Sequence, residues 1–132
     1  MNYDFYDDIN SFKINNQSGL DLFNPYEGYL LGNAFKNQYI PYKNYKIIKP
    51  VISSEKDEML ANIGEYSFMM HEMNLYLDVY PNNQDALDKF NEYRNKTNEL
   101  ITKYERKYGP LMVKSTSDSK SFNWVSKWPW VN

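Results

Sequence analysis

His71 is the single histidine of this 132-residue chain, and there is no cysteine, which narrows the covalent chemistry within reach. Serine–histidine or cysteine–histidine catalysis needs an imidazole beside an activated hydroxyl or thiol. The sequence has neither a Gly-x-Ser-x-Gly turn nor a thiol. His71-Glu72 begins as the zinc helix of metalloproteases does, but Leu75 stands where the second imidazole is required. A carboxylate-bridged di-iron centre needs two Glu-x-x-His pairs, which one histidine cannot supply. Glu58, Glu65 and Glu72 recur every seven residues. Such a row can hold hard cations or exchange protons, but it is also the solvated stripe of an amphipathic helix, the reading expected here. Glycine is scarce and no glycine-rich run precedes a helix, so no phosphate cradle is expected. The chain is expected to be no enzyme and to hold no metal or cofactor.

Binding is the better use of its side chains. Aromatic residues make up 17% of the chain, including 13 Tyr, and aromatics give large contact area at low entropy cost. All three tryptophans, Trp124, Trp128 and Trp130, fall within Asn123–Val131 (NWVSKWPWV). Trp128-Pro129-Trp130 cannot continue a helix and forms a stiff extended wedge. Either it folds back over the chain's own helix or it inserts into a partner as a hot spot. Met69, Met70 and Met73 form an adaptable cluster suited to a partner-binding face or, equally, to a core. The candidate partner-binding residues are Met69, Met73, Tyr76, Trp124, Trp128, Trp130, Tyr39 and Tyr42.

Charge and hydropathy exclude other partners. Asn37–Ile48 (NQYIPYKNYKII) interleaves Lys with Tyr, a pattern that can meet phosphates and stack bases, but the acidic stretch before it offsets it and the net charge is −2. No nucleic-acid partner is expected. No apolar run approaches the roughly 18 residues of a membrane span. The start, MNYDFYDDIN, lacks the basic-then-apolar order of a signal peptide, so a cytosol-like compartment is expected.

Two long helices must position these residues. Pro50 bars helix before it, Ser54 can cap, and Glu55, Asp57 and Glu58 suit the positive helix start. Met59, Ile63, Tyr66, Met70, Met73, Leu77 and Tyr80 then recur at alternating spacings of four and three. Phe68, Met69, Leu75 and Tyr76 lie off that seam, so the second half of this helix is apolar nearly all round and needs at least two neighbours. Pro81 stops it, and Asn82 or Asn83 caps the next. Leu87, Phe90, Arg94, Thr97, Ile101, Tyr104 and Tyr108 carry the second seam, which Arg94 and Thr97 interrupt, and Gly109-Pro110 ends it. The prediction is an all-α chain: a long antiparallel two-helix hairpin (helices about 55–79 and 84–108) with extended, aromatic-rich arms. Residues 1–50 form an irregular N-terminal arm and 111–132 a Trp/Pro tail. Two helices share one seam and rarely stand in water without a third layer, which must come from the arms, a second copy or another protein.

Leu75–Asp78 (LYLD), Tyr80–Asn83 (YPNN), Ala86-Leu87, Phe90-Asn91 with Tyr93, Tyr104–Leu111 (YERKYGPL) and the Trp124–Trp130 tail fall in one order and spacing. Over about residues 57–132 the chain resembles the spore coat protein CotJB family. More weakly, Phe23-Asn24-Pro25, Gly32–Phe35 and Tyr39–Tyr42 resemble the short CotJA motif, as though two polypeptides were fused. The resemblance implies a structural protein made in the mother-cell cytoplasm and deposited in the spore coat. It also implies contacts with other coat proteins and a CotJC companion resembling manganese catalases, where the catalysis would reside; self-association is a further expectation. The alternative is a repeat-like helical adaptor unrelated to spores, because YPNNQDAL resembles the turn of tetratricopeptide helices. Those helices are about half as long and recur every 34 or so residues, and no second copy is present.

Overall fold

The computed structural model describes residues 20–41, 43–44, 46–115 and Trp124. Among them are three α-helices: α1 (Pro25–Leu31), α2 (Glu55–Val79) and α3 (Gln84–Tyr108), with no strand beyond an isolated antiparallel bridge between Leu22 and Phe35. Helices α2 and α3 are both 25 residues long, about 37 Å each. They pack against each other along their lengths as the expected hairpin.

The ends of α2 and α3 are set by local chemistry. The Ser54 hydroxyl accepts from the Asp57 N–H at 3.1 Å, and the Asp57 carboxylate accepts in turn from the Ser53 hydroxyl at 2.8 Å. The first satisfies a backbone donor that a helix start leaves open, and the second ties the Asp57 carboxylate back to the residue before the cap. Asn83 caps α3 through its side-chain oxygen, which accepts from the Ala86 N–H at 3.0 Å. At the far end Gly109 takes φ 113°, a region closed to most side chains, and turns the chain out of the helix into buried Pro110. Lys107 near the end of α3 pairs with Glu55 at the start of α2, which places the two open ends side by side.

The seam between the helices keeps Met73, Thr97 and Tyr104 of the expected one and adds Met69, Ala86 and Tyr93 beside it. On α3 the buried residues are Ala86, Tyr93, Thr97 and Tyr104, while Leu87 and Arg94 face outward. Thr97 does not interrupt the packing. Its hydroxyl donates to the Tyr93 carbonyl at 2.7 Å, so the side chain enters the core with its polar group satisfied. On α2 the fully buried residues are Met69 and Met73. Met70, on the expected seam, is only half-buried, and Met69, off that seam, is sealed.

Helix α1 explains the difference, because it packs against α2 and buries a second side of it. The arm between residues 1 and 50 was expected to be irregular, and a short helix lies within it. Asn24 caps it by accepting from the Glu27 N–H at 2.8 Å, Pro25 occupies its first turn, and Gly32 closes it at φ 69°. The Phe23 N–H donates to the Ala34 carbonyl at 2.9 Å and the Lys36 N–H to the Asp21 carbonyl at 3.1 Å. These bonds tie both sides of α1 into a closed clasp over residues 20–39. Ala34, Met69, Met73 and Tyr93 form the buried centre, with Leu22, Phe35, Phe68 and Phe90 around it. The third layer therefore comes, on this side, from the chain itself.

Candidate interaction surface

The clasp reaches α2 at two glycines. A Cβ on Gly28 of α1 would stand 2.8 Å from the Met69 sulfur, so any side chain there would have to push Met69 aside. Gly64 of α2 faces Tyr29, whose ring atoms lie 3.2 Å from where its Cβ would be. Tyr29 also meets Phe68 edge-on at 6.3 Å between ring centres, and Phe35 tilts against Tyr76 at 5.5 Å. The contact is apolar and aromatic throughout.

The predicted binding residues fall into three groups. Met69 and Met73 are completely buried beneath α1 and α3, so their side chains fill the core and present no outer face. Tyr76 and Tyr39 are half-buried within the chain. Tyr76 lies between Phe35 and Tyr80, with its hydroxyl 3.4 Å from the Asn83 amide, and Tyr39 lies edge-on to Phe23 at 5.9 Å. Trp124 is half-buried. Tyr42, Trp128 and Trp130 lie outside the described residues.

The apolar side chains left in water are others. Leu75 and Val79, one helical turn apart at the end of α2, are 49% and 68% exposed. Between the clasp and α2, Ile48 and Val51 are 86% and 89% exposed, with Ile47 and Ile52 nearly half so. Leu75 was visible as an off-seam apolar residue. Val79 and the Ile47–Ile52 strip, by contrast, carried no signal of exposure, because apolar residues without a period read equally as strand or core. Gly28 and Gly64 were also missed; Gly64, inside a long helical pattern, was itself a sign of close approach, whereas Gly28 lies in a seven-residue helix without a period.

The groups considered for chemistry do not converge. His71 is exposed, and among the described residues no three His, Asp or Glu side chains come near enough to share a metal ion. Burial pushes the Glu65 carboxyl above its ordinary value. A groove of about 360 Å³ between α2 and α3, lined by Tyr66, Glu92, Asn95, Lys96 and Glu99, is shallow and carries both charges, and Glu99 is already paired with Lys103 at 3.1 Å. No helix of the described residues is long and apolar enough to cross a membrane.

A comparison with protein families matches the CotJB protein family over residues 57–131, more than half of the chain, spanning the hairpin and the tryptophan tail. The chain belongs to the CotJB family. No curated protein and no solved structure matches it. The CotJB match starts two residues inside α2 and takes in the Tyr80–Asn83 corner, the Gly109-Pro110 stop and all three tryptophans. The clasp lies outside it. CotJB is a spore coat family and not a known family of enzymes, and membership implies a role and a place in the spore coat.

Proposed function

We propose that the chain is a non-enzymatic assembly protein of the endospore coat, made in the mother cell and working by contact with other coat proteins. A manganese-catalase-like companion of the CotJC kind is among its partners and carries the catalysis. The N-terminal clasp is the CotJA-like portion, joined to the hairpin in one polypeptide.

The observation that carries this reading is the pair Leu75 and Val79. The chain covers the middle of α2 with its own clasp and leaves these two at the corner uncovered. An apolar pair on a rigid helix, in the same family-matched segment as the three tryptophans, suits docking against a folded partner. The 25-residue helices speak against a repeat-type adaptor, whose helices are about half that length.

The test is a fluorescent fusion in sporulating cells beside a Leu75→Asp/Val79→Asp variant of unchanged helicity. The parent chain should ring the spore and the variant should stay in the mother cell. A variant that loads into the coat as well as the parent would remove this surface from the account.

A further inference from the structure

The connection between the clasp and α2 carries an apolar strip set among positive charges. No described residue between Tyr39 and Glu55 is in a helix or strand. Ile48 and Val51 are 86% and 89% exposed there, and Ile47 and Ile52 nearly half so. Single apolar residues in water are ordinary, but four large aliphatics within six residues make a docking surface. Lys43, Lys46 and Lys49 are exposed beside them, and the sequence has no acid from Lys36 to Ser54.

Those lysines decide what fits. A second copy of the same strip would bring three more positive charges against the first, and like charges side by side oppose pairing. The acids of the corner, Asp78, Asp85 and Asp88, sit at the other end of helices about 37 Å long and cannot bend back onto the strip of their own chain. The start of the chain has the matching character. Asp4, Asp7 and Asp8 precede the first basic side chain, Lys13, and Tyr3, Phe5, Tyr6 and Phe12 stand among them. Its carboxylates suit the lysines and its rings suit the aliphatics.

The tether reaches. Leu20 packs against the buried centre that holds Met69 and Met73. Met73 lies about 27 Å along α2 from Glu55. The twelve residue steps from Asp8 to Leu20 extend to about 41 Å. The segment therefore arrives with slack, and a tether of this length keeps it at a roughly millimolar effective concentration, which a free acidic partner has to exceed.

We propose that residues 3–12 of the chain itself dock on the strip of residues 46–52, with the aspartates against Lys43, Lys46 and Lys49 and the rings against Ile48 and Val51. This contact goes beyond the assembly reading and is separate from Leu75 and Val79, which lie at the opposite end of α2.

Methyl resonances of the full chain test it. The sequence has no cysteine, so Asn2→Cys accepts a single nitroxide. Spin-labelled, methyl-labelled chain is diluted into an excess of unlabelled chain, which leaves only contacts within one molecule. The Ile48 and Val51 methyl signals are expected to lose most of their intensity, and the Val79 methyls to keep theirs. Asp4→Lys/Asp7→Lys/Asp8→Lys should return the lost signals, and adding Lys43→Glu/Lys46→Glu/Lys49→Glu should remove them again, at equal helicity throughout. Full Ile48 and Val51 signals in the diluted parent would overturn the proposal and leave the strip to another protein. Broadening seen only when nitroxide and methyl label are on different copies would overturn it in favour of a second copy. Broadening that survives the unrescued charge reversal would overturn the pairing of aspartates with lysines.

Discussion

Gly28→Ala and Gly64→Ala are the same chemical change at the two glycines of one contact, and they are expected to move stability in opposite directions. At Gly28 the added methyl would sit 2.8 Å from the Met69 sulfur and 3.3 Å from the Asn33 carbonyl oxygen. Ordinary contact is about 3.5–4.0 Å, so about 1 Å must be found around a fully buried Met69 with backbone on the other side. Overpacking of this kind costs about 1–3 kcal/mol, and the better helix propensity of Ala returns about 1 kcal/mol. The net loss is up to about 2 kcal/mol. At Gly64 the obstacle is the outer end of the Tyr29 ring at 3.2 Å, on a side chain 41% exposed that can swing aside. The propensity gain in the middle of a 25-residue helix is then largely kept, and the variant is stabilised by up to about 1 kcal/mol. Urea titration reads both, with amide exchange at Gly28–Phe35 reporting whether the clasp has loosened. Equal stabilisation by the two substitutions would refute the close packing of Gly28 on Met69.

Three further outcomes follow from the same contacts. Asn83→Ala removes the α3 cap and the amide beside the Tyr76 hydroxyl, and should cost about 1 kcal/mol, seen as a melting temperature lower by about 4 °C; an unchanged melt would count against the cap. The hydrogen bond from the Ser53 hydroxyl, then that from its backbone N–H, holds the Asp57 carboxyl below its ordinary value. Its contribution is therefore complete above the unfolded value of about 3.9 and is lost as pH falls through the folded one. Asp57→Asn should flatten the acid limb of the stability curve in that window, and an identical limb would contradict the assignment. Leu75→Asp/Val79→Asp should cost about 1–2 kcal/mol, from the lower helix propensity of Asp and two carboxylates at the negative end of α2, with little packing lost from side chains 49% and 68% exposed; a loss above about 3 kcal/mol in denaturant titration would mean they are packed within the chain.

The hairpin was legible because its punctuation is local. Ser54, Pro81, Asn83 and Gly109-Pro110 each act through bonds or backbone angles that a short stretch of sequence specifies, and the helices end where those residues stand. The clasp was harder to see. Helix α1 has seven residues, less than two turns, so it shows no period and owes its stability to docking rather than propensity. Its signals were present as Asn24, Pro25 and Gly32, a cap, a first-turn proline and a left-handed stop. The burial of Met69 beside the expected seam has the same origin. Spacings of three and four locate one apolar stripe, but α2 has neighbours on two sides, so Met69 is buried from a direction the stripe of Met59, Ile63 and Tyr66 does not show. Exposure of Leu75 and Val79 depends on where the clasp stops, which no local pattern encodes.

The most direct measurement is calorimetric titration of the purified full chain into a purified catalase-like companion, in parallel with the Leu75→Asp/Val79→Asp variant. The account predicts saturable binding by the parent and none by the variant at equal helicity. No binding by the folded parent, or binding by the variant indistinguishable from the parent's, would contradict it.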